Sequence, residues 1–166
     1  MTPTANANLF SRLFDNLDDP SRLAIETLDG RHISYGDLVA RSGQIANFLV
    51  TRGVRPGDRV AVQVEKSVQN LILYLAVVRA GAVYLPLNTA YTLNELDYFI
   101  TDAEPSMVVC DPAKAEGLRA IAAKVNATVE TLDADGKGSL SEGADAATTN
   151  FATVPRGDDD LAAILY

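Results

Sequence analysis

A single cysteine and a single histidine stand among the 166 residues. One cysteine cannot form an intrachain disulfide, so the chain suits a reducing compartment. Cys110 closes the apolar run Met107-Val108-Val109-Cys110 and reads as a packed thiol, because free cysteine behaves as a small hydrophobe. His32 has no second ligand at metal-binding spacing, which leaves no basis for a metal centre. No apolar run approaches the ~18 residues a membrane span needs. Residues Met1 to Asn8 lack the basic and apolar regions of a secretory signal. The cytoplasm is the expected location. Basic residues are also scarce: 14 Lys+Arg face 22 Asp+Glu, a formal charge of −8. Nucleic acid and anionic membrane both require a clustered basic face, so neither is an expected partner.

Phosphate-binding loops of the G-x-G-x-x-G and G-x-x-x-x-G-K-[ST] types are missing as well. The acidic run Asp158-Asp159-Asp160 lacks calcium-loop spacing and reads as a solvated lead-in. Asp97, Asp102 and Glu104 cluster towards one helix end with no base or nucleophile beside them. No set of residues supports catalysis by itself, and no catalytic residue is assigned.

What is present is regular alternation. Leu9, Leu13 and Leu17 have helical spacing, and Asp29-Gly30 forms a hairpin signal between Leu23–Thr27 and Arg31–Ser34. Ser34 with Asp37, and Thr92 with Glu95, have capping-box spacing. Ser67 caps a helix from Val68 to Ala80 that is apolar nearly all round, as a helix buried on several sides should be. Strands are expected at Arg59–Val64, Val83–Leu87, Ser106–Cys110 and Thr128–Leu132. Pro86 has no N–H to give a ladder, which places it on an edge or at a strand end. Asp111-Pro112 supplies an N-cap with proline at the next position, and the helix behind it runs to about Lys124. Residues 133–150, rich in Gly, Ala, Ser and Asp, read as a flexible loop with at most one weak helical turn. Leu161 to Tyr166 reads as a buried strand, an unusual place for a chain to stop. Strands alternating with helices make the fold α/β: a mainly parallel βαβ sheet flanked by helices, with an N-terminal helix and hairpin.

In such sheets ligands gather beyond the carboxyl ends of strands, where the loop Asn88 to Tyr91 follows Pro86. The stretch Val78-Arg79-Ala80-Gly81-Ala82-Val83-Tyr84-Leu85-Pro86-Leu87-Asn88-Thr89-Ala90-Tyr91-Thr92 resembles the second core motif of the AMP-forming adenylate-forming superfamily. Ile33-Ser34-Tyr35-Gly36-Asp37-Leu38 resembles its first motif, and Arg55-Pro56-Gly57-Asp58-Arg59-Val60-Ala61-Val62 its "PGD" strand. Leu161 to Tyr166 is similar to the strand that introduces the third. Val62-Gln63-Val64-Glu65-Lys66-Ser67 and Tyr84-Leu85-Pro86-Leu87-Asn88-Thr89-Ala90-Tyr91-Thr92-Leu93, with Glu95-Leu96-Asp97-Tyr98-Phe99-Ile100, look most like bacterial malonyl-CoA synthetases.

The resemblance implies that residues 1–166 are the N-terminal portion of a large adenylation domain, with the rest of that domain and a C-terminal lid domain absent. It implies the parent reaction, carboxylate plus ATP plus CoA giving acyl-CoA, AMP and pyrophosphate, with Mg²⁺ as cofactor and malonate or methylmalonate as substrate. It puts Asn88, Thr89 and Tyr91 in a loop beside the CoA channel. Some CoA ligases of this kind carry an arginine there to meet a CoA phosphate; Ala90 and its neighbours supply none. The 166 residues alone are expected to be inactive, to bind no cofactor tightly and to self-associate through an uncovered sheet edge. The alternative is a free-standing α/β binding or interaction module without catalytic activity.

Overall fold

The structure, a computed structural model, describes residues 6–166. Helix α1 (Leu9–Phe14) leads into a hairpin of β1 (Leu23–Glu26) and β2 (His32–Ser34), antiparallel as the Asp29-Gly30 turn requires. The βαβ series follows: α2 (Tyr35–Thr51), β3 (Arg59–Gln63), α3 (Val68–Arg79), β4 (Val83–Pro86), α4 (Leu93–Ala103) and β5 (Met107–Cys110). A short 3₁₀ turn, Pro112–Lys114, precedes α5 (Ala115–Ala123), β6 (Thr128–Thr131) and α6 (Ser139–Asp145). Strands β3 to β6 form one parallel sheet in the order β4-β3-β5-β6.

Side chains alternate across this sheet, as a period of two demands. On one face Val60 and Val62 of β3, and Met107 and Val109 of β5, join Leu49, Ile72 and Leu73 from α2 and α3. On the other, Ala61, Val108 and Cys110 join Leu96, Ile100 and Leu118 from α4 and α5. Every residue of β5 is buried, and each such aliphatic side chain contributes about 1.5–3 kcal/mol. Cys110 is buried too, and burial pushes its thiol up to about 11, so it stays protonated.

The capping signals act as spelled. Ser34 accepts from the Asp37 amide while Asp37 accepts from the Ser34 amide, and Thr92 and Glu95 do the same for α4. Ser67 caps α3 and Asp111 caps the 3₁₀ turn. His32 is exposed and lies 3.6 Å from Glu26.

Two stretches differ from expectation. Residues 133–150 contain α6, with Leu140, Ser141 and Ala144 buried. Gly143 fits there because a Cβ would lie 2.1 Å from the Phe48 ring. A small-residue composition that looks loop-like is here what lets a helix seat closely on α2.

Residues 161–166 form no strand, only the single bridge Tyr84↔Ala163, and Leu161, Leu165 and Tyr166 are exposed. The cause is on the facing strand. Tyr84 N donates to Ala162 O and Ile164 N donates to Tyr84 O. The next rung needs an N–H from residue 86, and proline has none. Pro86 sits at the end of β4, an edge of the four-stranded sheet, as its chemistry requires.

Candidate functional site

Strands β3 and β4 open at their carboxyl ends into a cleft of about 600 Å³, lined by Val62, Val64, Glu65, Lys66, Asn70, Tyr84, Pro86, Leu87, Asn88 and Thr89. Its position follows from topology: parallel strands all deliver their following loops to the same end of the sheet. Its lining combines aliphatic side chains with one ammonium, one carboxylate, two amides and two hydroxyls. Tyr84 is anchored within it by a 2.7 Å hydrogen bond to Asn70 Oδ1 and an edge-on contact with Tyr74. Burial pushes the Tyr84 phenol up to about 12, so it stays neutral and donates.

The loop after β4 enters the cleft already shaped. Asn88 Oδ1 accepts from Ala90 N at 2.9 Å, and Tyr91 N donates to Asn88 O at 3.1 Å. The structure thus places Asn88 and Thr89 on the cleft wall. Tyr91 does not line it: the ring packs at a tilt against Phe99, 4.9 Å between centroids, and joins the α4–α5 core.

Two residues escaped the sequence. Gln63 Nε2 donates to Asn88 O at 2.9 Å and reaches Tyr91 O at 3.4 Å, and Lys114 Nζ donates to Thr89 O at 2.6 Å. A polar residue ending a buried strand was the signal for Gln63. Nothing local distinguished Lys114 from a surface lysine.

The acidic candidates lie elsewhere. Asp97 pairs with Lys124 at 2.7 Å, and Asp102 accepts from the Tyr166 hydroxyl, whose pKa that bond raises to about 12. Asp158 and Asp160 face Arg12 and Arg156. Among the described residues no three His, Cys, Asp or Glu side chains converge as a metal ion would require, and no helix is long and apolar enough to cross a membrane.

The family model described as "AMP-binding enzyme" matches residues 16–166. The chain belongs to that family. Two crystal structures of MatB from Rhodopseudomonas palustris, one apo and one ATP-bound, superpose on it with TM-scores of 0.95 and 70% identity. Each match covers 97% of this chain and 32% of the MatB chain. Tyrocidine synthase 1 from Brevibacillus parabrevis is 28% identical over the whole chain, which is 14% of its own length. A probable CoA ligase, CCL9, from Humulus lupulus is 33% identical over 63% of the chain and 20% of its own. The chain thus spans a third or less of these relatives.

Proposed function

We propose that this chain is the N-terminal part of an ATP-dependent, AMP-forming acyl-CoA synthetase that converts malonate to malonyl-CoA. In the first step a malonate carboxylate oxygen attacks the α-phosphorus of ATP and pyrophosphate leaves. In the second the CoA thiolate attacks the acyl carbon and AMP leaves with the bonding pair. The observation that carries the reading is 70% identity over 97% of the chain to MatB, a protein also solved with ATP bound. Asn88 and Thr89 border the CoA channel in this reading, and Tyr91 backs the loop from the α4 side. Charge builds on phosphoryl oxygens in the first step and needs preorganised donors. In this reading those donors belong to the rest of the parent protein, and residues 1–166 supply scaffold and one wall of the site.

The test is pyrophosphate exchange. The full-length protein is expected to exchange pyrophosphate into ATP only when malonate or methylmalonate is added, and to release AMP when CoA follows. The purified 166-residue chain is expected to do neither. Exchange by that chain alone would defeat the scaffold assignment, and full-length protein that adenylates other carboxylates but not malonate would defeat the substrate.

The exposed apolar residues Leu161, Leu165 and Tyr166 flank an edge held by one bridge. Such edges template association. On size-exclusion chromatography the 166-residue chain should elute as concentration-dependent oligomers. A sharp monomer peak at every concentration would rule that out.

A further inference from the structure

Gln63 is only 1% exposed at the end of β3 and sits in register beside Cys110. Burying an amide costs free energy unless its polar atoms are paired, so an amide rather than a leucine at this position points to the bonds it makes. Its Nε2 holds the carbonyls of Asn88 and Tyr91, while its Oε1 has no partner among the described residues. Lys114, from the turn after β5, holds the carbonyl between them, that of Thr89. Three of the four carbonyls in loop 88–91 are therefore fixed by two side chains from other βα units. An ammonium bonded to a carbonyl is among the stronger neutral–ionic hydrogen bonds. A loop that only connected β4 to α4 would need neither, since Thr92 and Glu95 already cap the helix.

We propose that Gln63 and Lys114 are positioning residues that hold loop 88–91 in place for the thiol-transfer step. This rests on the proposed function, in which Asn88 and Thr89 border the CoA channel. Neither side chain touches substrate; both act through the loop backbone.

The test uses full-length Gln63→Met, Gln63→Glu, Lys114→Met and Lys114→Arg. Losing one such hydrogen bond should raise KM for CoA about tenfold more than KM for ATP, and should speed amide exchange at residues 88–92 by a similar factor. Gln63→Glu should be worse than Gln63→Met, because it sets an acceptor against two carbonyl oxygens. Lys114→Arg, which keeps a cationic donor, should stay close to wild type. KM for CoA and ATP moving in proportion, or loop exchange unchanged in Gln63→Met and Lys114→Met, would overturn the proposal. If Gln63→Glu does not fold, the methionine variants still decide it. A wild-type protein without CoA-dependent turnover would instead sink the proposed function, and amide exchange would still decide whether these two side chains hold the loop.

Discussion

Arg79→Met is expected to lower the unfolding free energy by about 3 kcal/mol. Arg79 ends α3 and is 7% exposed. Its Nη1 donates to Val39 O at 2.7 Å and reaches Ser42 Oγ at 3.3 Å, while Nη2 donates to Phe151 O at 2.8 Å. The guanidinium also lies over the Phe10 ring, 4.4 Å from its centroid. One side chain thus joins α1, α2, α3 and the strap of residues 146–156. Burial pulls its pKa down and nearby Asp15 partly restores it, yet arginine remains cationic in proteins.

Hydrogen bonds to a charged group contribute about 1.5–3 kcal/mol each. Desolvating the guanidinium opposes them, and Nε is buried without a partner among the described residues. Methionine fills much of the stem volume but leaves the carbonyl of Phe151 unpaired. Urea unfolding should show a lower midpoint at unchanged slope, the signature of lost stability rather than altered compactness. Arg79→Lys should recover less than half of the loss, since one ammonium cannot fork between α2 and the strap. A loss below about 1 kcal/mol for Arg79→Met would mean that the strap is held without it.

Neither Arg79 nor the strap was visible as such in the sequence, and the reason is distance along the chain. Signals spelled within a few residues were legible: both capping boxes, the Asp29-Gly30 turn and the strand–helix alternation. So was Cys110, because a run of four apolar residues ending at an N-cap has few places to go but the middle of a sheet. The strand order β4-β3-β5-β6 depends on which crossovers stack on which face, and no local window holds that. Leu161 to Tyr166 has the composition of a strand, but the outcome was decided by Pro86, some eighty residues earlier. Residues 139–145 have loop-like composition and are helical because Phe48 and the α2 surface accept a glycine. For the candidate site, the position of loop 88–91 was legible from the strand that precedes it. The side chains that hold it, Gln63 and Lys114, come from elements 25 residues away on either side.

The same joint supplies the other large effect, Gly43→Ala, expected to destabilise by about 3 kcal/mol. In an exposed helix interior this change would stabilise by about 1 kcal/mol. Gly43 lies inside α2 under the strap, and a Cβ there would stand 2.0 Å from Thr149 O, 3.0 Å from Thr149 C and 3.1 Å from Arg79 Nη1. A backbone oxygen at that distance must move, and it cannot move alone. Asn47 Nδ2 donates to Thr148 O at 2.8 Å and Asn150 O at 3.0 Å, and Gln44 Nε2 donates to Ala147 O at 3.2 Å. Lifting the strap by an ångström stretches all three and the Arg79–Phe151 bond with them. The overpacking cost therefore exceeds the helix-propensity gain. Because both substitutions release one strap, the double variant Gly43→Ala/Arg79→Met should lose at least about 1 kcal/mol less than the two single losses added together. A Gly43→Ala protein as stable as wild type, or a strictly additive double variant, would show that α2 and residues 147–151 are not one unit.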